Sequence, residues 1–317
     1  MADLVTFGES MLRYSPPGQE RIEMATELDI RIAGAESNVA ANAHRLGADA
    51  LWTSKLPDSP LGRKVTADLG QLGLATDVVW SDEGRQGTYY IEQSGAPRGT
   101  NVVYDRENAA VTTATFEELP TEQVAEAETF YTCGITPALS DTLEETTRDL
   151  LEFASERGTT TAFDVNYRSK LWTPAEARET IEELLPFVDV LVTAERDAEA
   201  VLGREGRPAD VARDLVEEWD LRTAVVTLGA EGALAWTDGE AVRQPAFEAD
   251  TYDPIGTGDA LVGGFLARRL AGDSVADALE YGAATAALKR TIPGDVAVVT
   301  PEEVERVIEA GTGEISR

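Results

Sequence analysis

Short β-rich runs alternate with longer amphipathic ones along this chain. Strand candidates are Leu4–Gly8, Ala50–Lys55, Thr129–Cys133, Thr160–Asp164, Val188–Val192 and Ala224–Leu228. Between them lie helix candidates Ser37–Leu46, Gly62–Leu72, Asp141–Arg157, Pro174–Leu185 and Ala209–Trp219, with Thr173 before Pro174 as a favourable helix start. Strands separated by helices run mainly parallel, so the expected fold is α/β: a mainly parallel central sheet with helices on both faces.

Two segments break that rhythm, at about 11–32 and 87–106. They are polar and alternating, with strand patterns such as GTYYIEQ and TNVVYDR. They read as an antiparallel accessory sheet, a lid inserted into the main domain; a meander on the sheet edge is the competing reading. No linker, repeat or low-complexity tract divides the chain, so residues 1–317 are expected to form one domain with a lid.

Charge excludes whole classes of partner. There are 58 acidic residues against 27 basic ones, a formal charge of −31, and only Lys55, Lys64, Lys170 and Lys289 are lysines. The acids are spread along the chain, which suits a surface screened by concentrated salt and predicts a halophilic source. No basic stripe is present for a nucleic acid. The single cysteine, Cys133, leaves no internal disulfide, and the single histidine, His44, leaves no multi-histidine zinc site. Cys133 is expected on a buried strand and His44 on a helix. No basic leader precedes the first strand and no apolar run reaches the roughly 18 residues of a membrane helix, so the expectation is a cytoplasmic protein with no membrane partner.

The stretch DPIGTGDALVGGFLARRL, from Asp253 to Leu270, carries the chemistry. Its glycines let the backbone approach a ligand, and successive amides at a helix start converge on an anion. Asp259 sits in that first turn, where a carboxylate makes sense as the acceptor of a proton from an attacking hydroxyl. An ordinary glycine turn with an acid near a helix start is the plainer alternative. It is neither a phosphate loop with Lys-Ser/Thr nor a dinucleotide fingerprint after the first strand.

This motif resembles the D-T-x-G-A-G-D signature of the ribokinase-like (PfkB) sugar kinases, with Pro254 and Thr257 as departures. Near the front, RIAGAESNVAANAHRLGA is similar to the family's glycine motif, which implies that Gly34 and Asn38 border the sugar; Ala35 departs from a second glycine. The resemblance covers almost the whole chain. It implies a ribokinase-like fold with a small β-sheet lid over the cleft.

Within the family, FDVNYRSKLW (Phe163–Trp172), CGITPALS (Cys133–Ser140) and the lid stretch VVYDRENAA resemble 2-keto-3-deoxygluconate kinases. Guanidinium groups suit a substrate carboxylate. Arg106 is expected on the lid, and Arg168 beyond the C-terminal end of a parallel strand, the end where α/β sheets bind ligands. Tyr90 and Tyr104 are expected as donors and an apolar wall, with Tyr89 as the alternative inward residue. By resemblance Asp295 reaches the substrate, or else is a solvated loop carboxylate.

For the nucleotide, VVTLGAEGALAW is similar to the family's ribose and phosphate segment, which implicates Thr227, Gly229 and Gly232; a plain β-hairpin is the alternative. Asn166, Arg168 and Asp197 are implied on the phosphate and magnesium side, with Ala194 where the family often has Asn. The helix from Tyr281 resembles the adenine-side element. The resemblance thus implies ATP and Mg2+, with a K+-type ion beside Asp253 and a homo-oligomer paired through the lids. The expected reaction is phosphorylation of 2-keto-3-deoxygluconate or its galactonate epimer at the 6-hydroxyl. Asp259 serves as base, and the amides of Gly256, Thr257 and Gly258 stabilise the transferred group. The alternatives are a fructokinase or ribokinase-type activity, or a non-catalytic sugar-binding member.

Overall fold

The computed structural model describes residues 2–94 and 97–312. In chain order the strands are β1 (Leu4–Phe7), β2 (Met11–Ser15), β3 (Asp29–Ala33), β4 (Ala50–Pro57), β5 (Ala75–Ser81), β6 (Thr88–Glu92), β7 (Asn101–Asp105), β8 (Thr129–Cys133), β9 (Thr160–Asp164), β10 (Val190–Ala194), β11 (Thr223–Thr227), β12 (Ala233–Thr237) and β13 (Glu240–Gln244). The helices are α1 (Ala35–Arg45), α2 (Pro60–Gln71), α3 (Thr121–Glu126), α4 (Asp141–Arg157), α5 (Pro174–Leu184), α6 (Glu195–Ala200), α7 (Pro208–Trp219), α8 (Thr257–Leu270), α9 (Val275–Arg290) and α10 (Pro301–Thr312).

Nine strands form the main sheet in the order β13-β12-β11-β10-β9-β8-β1-β4-β5. All pairs from β11 to β5 are parallel, and only the β11-β12-β13 meander is antiparallel. The central strands β1, β4 and β8 are buried along their whole length, as strands covered on both faces must be. One core lies between the sheet and α1, α8 and α9; a second lies on the opposite face under α4, α5 and α7. The expected strands and helices all appear, with ends moved by one or two residues. Cys133 is buried at the end of β8 and His44 lies in α1. Among the described residues no helix is long and apolar enough to cross a membrane.

The lid is a separate sheet, ordered β3-β2-β6-β7. The expectation of an antiparallel lid holds for its two outer pairs but not its centre, where β2 and β6 run parallel, Leu12 opposite Thr88. The reason is connectivity: β2 follows β1 and β6 follows β5, and both leave the C-terminal end of parallel strands in the same direction.

α8 is the central helix of the site. Its residues Ala260–Ala267 are all buried, because α1 and α9 flank it. The approach to α1 is close enough that a Cβ at Gly263 would stand 2.6 Å from that of Asn42. An all-round apolar helix is what such a position requires.

Candidate active site

The first turn of α8 opens between two hollows. Gly256 caps the helix at φ 77°, and a Cβ there would meet the Asp295 carbonyl at 1.9 Å, so only glycine fits. Thr257 and Gly258 line both hollows.

On one side is a cleft of about 470 Å³ between the lid and the C-terminal ends of the parallel strands. It brings together Gly34, Asn38, Tyr104, Asn166, Arg168, Asp197, Asp259 and Asp295, eight of the residues singled out in the sequence. On the other side is a hollow of about 670 Å³. Thr227, Gly229 and Gly232 line one wall; Ala283, Ala286 and Ala287 of α9 line another as a flat, small-residue surface. The segment at 225–236 is also the hairpin that was its alternative reading: the Leu228 amide closes on the Gly232 carbonyl at 2.8 Å. A larger hollow, about 890 Å³, lies along α10 between Glu248, Glu280 and Glu303; it adjoins the second hollow at Ala246 and Phe247 and shares no residue with the first.

Asp259 is half-buried, and Asn38 on α1 donates its Nδ2 to Asp259 Oδ2 at 2.7 Å. Burial raises the Asp259 carboxyl to about 6, against the Asn38 bond and the positive charge of Arg168. Asn38 therefore holds the carboxylate in place. Asp164, at the end of β9 in the same cleft, is raised to about 7 by burial and by the neighbouring negative charge of Asp259. Burial also raises Asp197, against the charge of Arg196, whose Nε stands 3.4 Å away. Asn166 sits at φ 39° and donates its amide to Asp164 Oδ1 at 3.1 Å.

Arg168 donates to the Tyr167 carbonyl at 3.2 Å and has no carboxylate within ion-pairing distance among the described residues. Arg106 differs. Its Nη1 is paired with the buried Glu9 at 2.7 Å, and it lines a neighbouring hollow shared with Tyr104 and Arg168 instead of the cleft itself.

Tyr90 is corrected in favour of its neighbour. Side chains alternate along β6, so Tyr89 and Ile91 face the cleft while Tyr90 turns to the other side of the lid and stacks on Tyr14 with ring centroids 5.3 Å apart. The buried Tyr89 donates its hydroxyl to Asp295 at 3.2 Å. Asp295 is buried and lines the cleft, and is not a solvated loop acid.

Sequence reasoning missed Asp164, Arg196 and Arg13. Asp164 carried a signal, an acid ending a parallel strand inside FDVNYR. Arg13 did not: it lies on lid strand β2, is fully buried, and pairs with Asp295 at 2.5 Å and Asp253 at 3.2 Å.

A helix turn flanked by a nucleotide-sized hollow and by a carboxylate in a sugar-sized cleft defines a phosphotransferase for a small hydroxylated acceptor. A model of the pfkB family carbohydrate kinases matches residues 1–302, and the chain belongs to that family. It is 60% identical to a 2-dehydro-3-deoxygalactonokinase of Haloferax volcanii over 316 residues, 100% of this chain and 99% of the relative. It is 29% identical to a 2-dehydro-3-deoxygluconokinase of Thermoproteus tenax, covering 98% and 95% of the two chains. The crystal structure of a 2-dehydro-3-deoxygluconokinase from Thermotoga maritima superposes with a TM-score of 0.92 at 34% identity, over 96% of this chain and 98% of that one.

Proposed function

We propose that this kinase transfers the γ-phosphoryl group of ATP to the 6-hydroxyl of 2-keto-3-deoxygalactonate, also called 2-dehydro-3-deoxygalactonate. The gluconate epimer is its nearest competitor. The 60% identity to a galactonate kinase over the full chain favours that epimer, where the sequence alone left the two open. The observation that carries the acidic substrate is Arg168: in a chain with 58 acids, an arginine in the cleft stands free of any carboxylate at ion-pairing distance among the described residues. A substrate carboxylate supplies the missing partner.

The chemistry then runs across the α8 turn. Asp259, with a carboxyl near 6, is largely ionised at neutral pH and accepts the proton of the 6-hydroxyl. The O6–P bond forms as the bond from phosphorus to the β-phosphate oxygen breaks, and ADP leaves with that electron pair. The amides of Thr257 and Gly258, with Gly256 shaping the turn, face the charge on the transferred group. Asn38 keeps Asp259 aimed, and the lid, through Tyr89 and Tyr104, limits water as a competing acceptor.

Among the described residues no group of three or more His, Cys, Asp or Glu is arranged to hold a metal ion. That suits magnesium, which is held mainly by nucleotide phosphates and water with one or two carboxylates. Asp164 and Asp197 are the carboxylates that would hold it, and it supplies neutralisation of phosphate charge when bound; the strained ionisation of Asp164 fits a cationic neighbour. The exposed lid residues Ile30 and Val103 suit pairing with a second copy.

The test is a coupled ADP-release assay in concentrated KCl with both keto-acid epimers, fructose and ribose. Turnover confined to the keto-acids, fastest with the galactonate epimer, supports the reading. Preferred turnover of fructose or ribose removes the role given to Arg168.

A further inference from the structure

Resemblance to the family raises the expectation of a K+-type ion beside Asp253. The residues there do not fit one. A carboxylate offers about four acceptor sites, and four donors already fill those of Asp253. Oδ1 accepts from Gln93 Nε2 at 2.7 Å and the Ile255 amide at 3.1 Å. Oδ2 accepts from Arg13 Nη2 at 3.2 Å and the Gly294 amide at 3.0 Å. The Asp253 carbonyl is also taken, by Lys289 Nζ at 3.2 Å, and the same ammonium reaches the Ile292 carbonyl at 3.0 Å.

Lys289 is fully buried at the end of α9, and Arg13 and Asp253 are buried beside it. Backbone carbonyls around a compact cation are the usual dress of a bound alkali ion. Here the cation is covalently part of the chain. The residue type agrees. This chain has only four lysines among 27 basic residues, and its other cations are arginines. A planar guanidinium cannot replace a point charge with three radiating donors in a carbonyl nest, so this is a position where lysine resists that exchange.

We propose that Lys289, with Arg13, is a resident cation that clamps the α8 turn from behind and makes a dissociable monovalent ion at this place unnecessary for phosphoryl transfer. The ammonium joins the segment entering the turn, at Asp253, to the 291–294 loop leaving α9. That loop runs into Asp295, whose carbonyl packs against Gly256. Lys289 is thus a positioning residue: it touches neither substrate nor nucleotide in the arrangement proposed above, and acts through the carbonyls that set the turn. The inference requires only that a nucleotide phosphate reach that turn, not the identity of the sugar acid.

The experiment holds total salt fixed and exchanges the cation, titrating KCl into tetramethylammonium chloride. Steady-state turnover, binding of a non-hydrolysable ATP analogue by calorimetry, and thermal unfolding are read in each mixture. The expected result for the wild type is no saturable K+ dependence in any readout and a kcat within about twofold at the two extremes, the scatter allowed for non-specific salt effects. K289M, which removes the charge but keeps the length, is expected to lose kcat by about 100-fold, the size associated with a catalytic group displaced by an ångström. K289A is expected to regain part of that loss with ammonium or K+ and none with tetramethylammonium, a selectivity that a merely structural lysine would not give. A saturable K+ response of the wild type in turnover or in nucleotide binding overturns the proposal, as does wild-type kcat in K289M. If neither variant folds, the wild-type exchange decides alone. The nucleotide-binding arm reads the same whether or not the sugar acid has been assigned correctly.

Discussion

Asn38 and Asp259 meet across two helices that are far apart in sequence, the Asn38 amide donating to the carboxylate at 2.7 Å. This contact fixes which oxygen of Asp259 remains free to take a proton, and it opposes the rise that burial imposes on the carboxyl. Replacing Asp259 by Asn removes the proton acceptor and keeps the shape. Turnover is expected to fall by about 10²–10⁴-fold, the span attributed to a positioned general base. Calorimetric binding of an ATP analogue should stay within about threefold, since the α8 amides are untouched. Near-normal turnover in this variant removes Asp259 from its role.

The pH profile follows from the same carboxyl. Asp259 must be ionised to act, so kcat/KM should fall as pH drops through about 6. The limb is a property of the coupled Asp164–Asp259 pair rather than of one group. Asn38→Ala removes an interaction that lowers the Asp259 carboxyl, so its acid limb should move to higher pH. A profile flat from pH 5 to 8, about the range these two carboxyls span, would contradict the assignment.

The two arginines should separate in a kinetic comparison. Arg168→Ala is expected to raise KM for the keto-acid by about 100-fold, since hydrogen bonds to a charged group in a closed site contribute about 1.5–3 kcal/mol. KM for ATP should change little. Equal effects on both substrates would argue against a carboxylate contact.

Arg106→Met, in contrast, strands Glu9 in a buried place where its carboxyl is already raised by burial, with Arg106 opposing that rise. Breaking such a pair costs about 3–5 kcal/mol, to be measured by denaturant unfolding at fixed high salt. Joining Glu9→Gln to it should recover most of that loss. A double variant no more stable than Arg106→Met alone would show that the guanidinium serves something other than Glu9.

Glu36 offers a pH test away from the chemistry. It sits buried in the first turn of α1, beside Gly8 at the end of β1, accepts from Thr136 Oγ1 at 2.6 Å and the Cys133 amide at 3.2 Å, and burial raises its carboxyl to about 7. Its folded value lies above its unfolded one, so its contribution to stability is complete below about 4.5 and is lost as pH rises through about 7. Glu36→Gln should therefore raise the unfolding temperature relative to wild type more at pH 8 than at pH 5. The opposite ordering would place an unseen cationic partner beside the carboxylate.

Much of this was legible in the chain. The helix from Asp141 to Arg157 was bounded correctly because a serine cap precedes it and Gly158 ends it in a left-handed turn. The Gly-Thr-Gly turn, Asp259, Arg168 and Asp295 could be singled out because motif and resemblance are local, and the fold sets them around one cleft. Tyr89 was lost to Tyr90 because two tyrosines in succession carry no sign of which face of β6 is inward; the pairing of β6 with β2 and β7 decides that. Arg106 was assigned by the lid stretch VVYDRENAA and by charge chemistry, neither of which shows its pairing with Glu9, a remote residue. Arg13 and Lys289 were invisible for the same reason. Their partners lie on other elements, and a buried basic residue looks like any other until the fold closes around it.

The parallel pairing of β2 with β6 has a kinetic corollary. A hairpin can form by itself, but a parallel pair waits for the chain between its strands. Here that chain includes α1, β4, α2 and β5, a large part of one half of the main sheet. The two outer hairpins of the lid can arise early and locally, whereas the seam joining them can close only after that half-domain exists. The cover of the active site is thus the last part of this region to assemble, and a chain that fails to build its first half will have two loose hairpins and no lid.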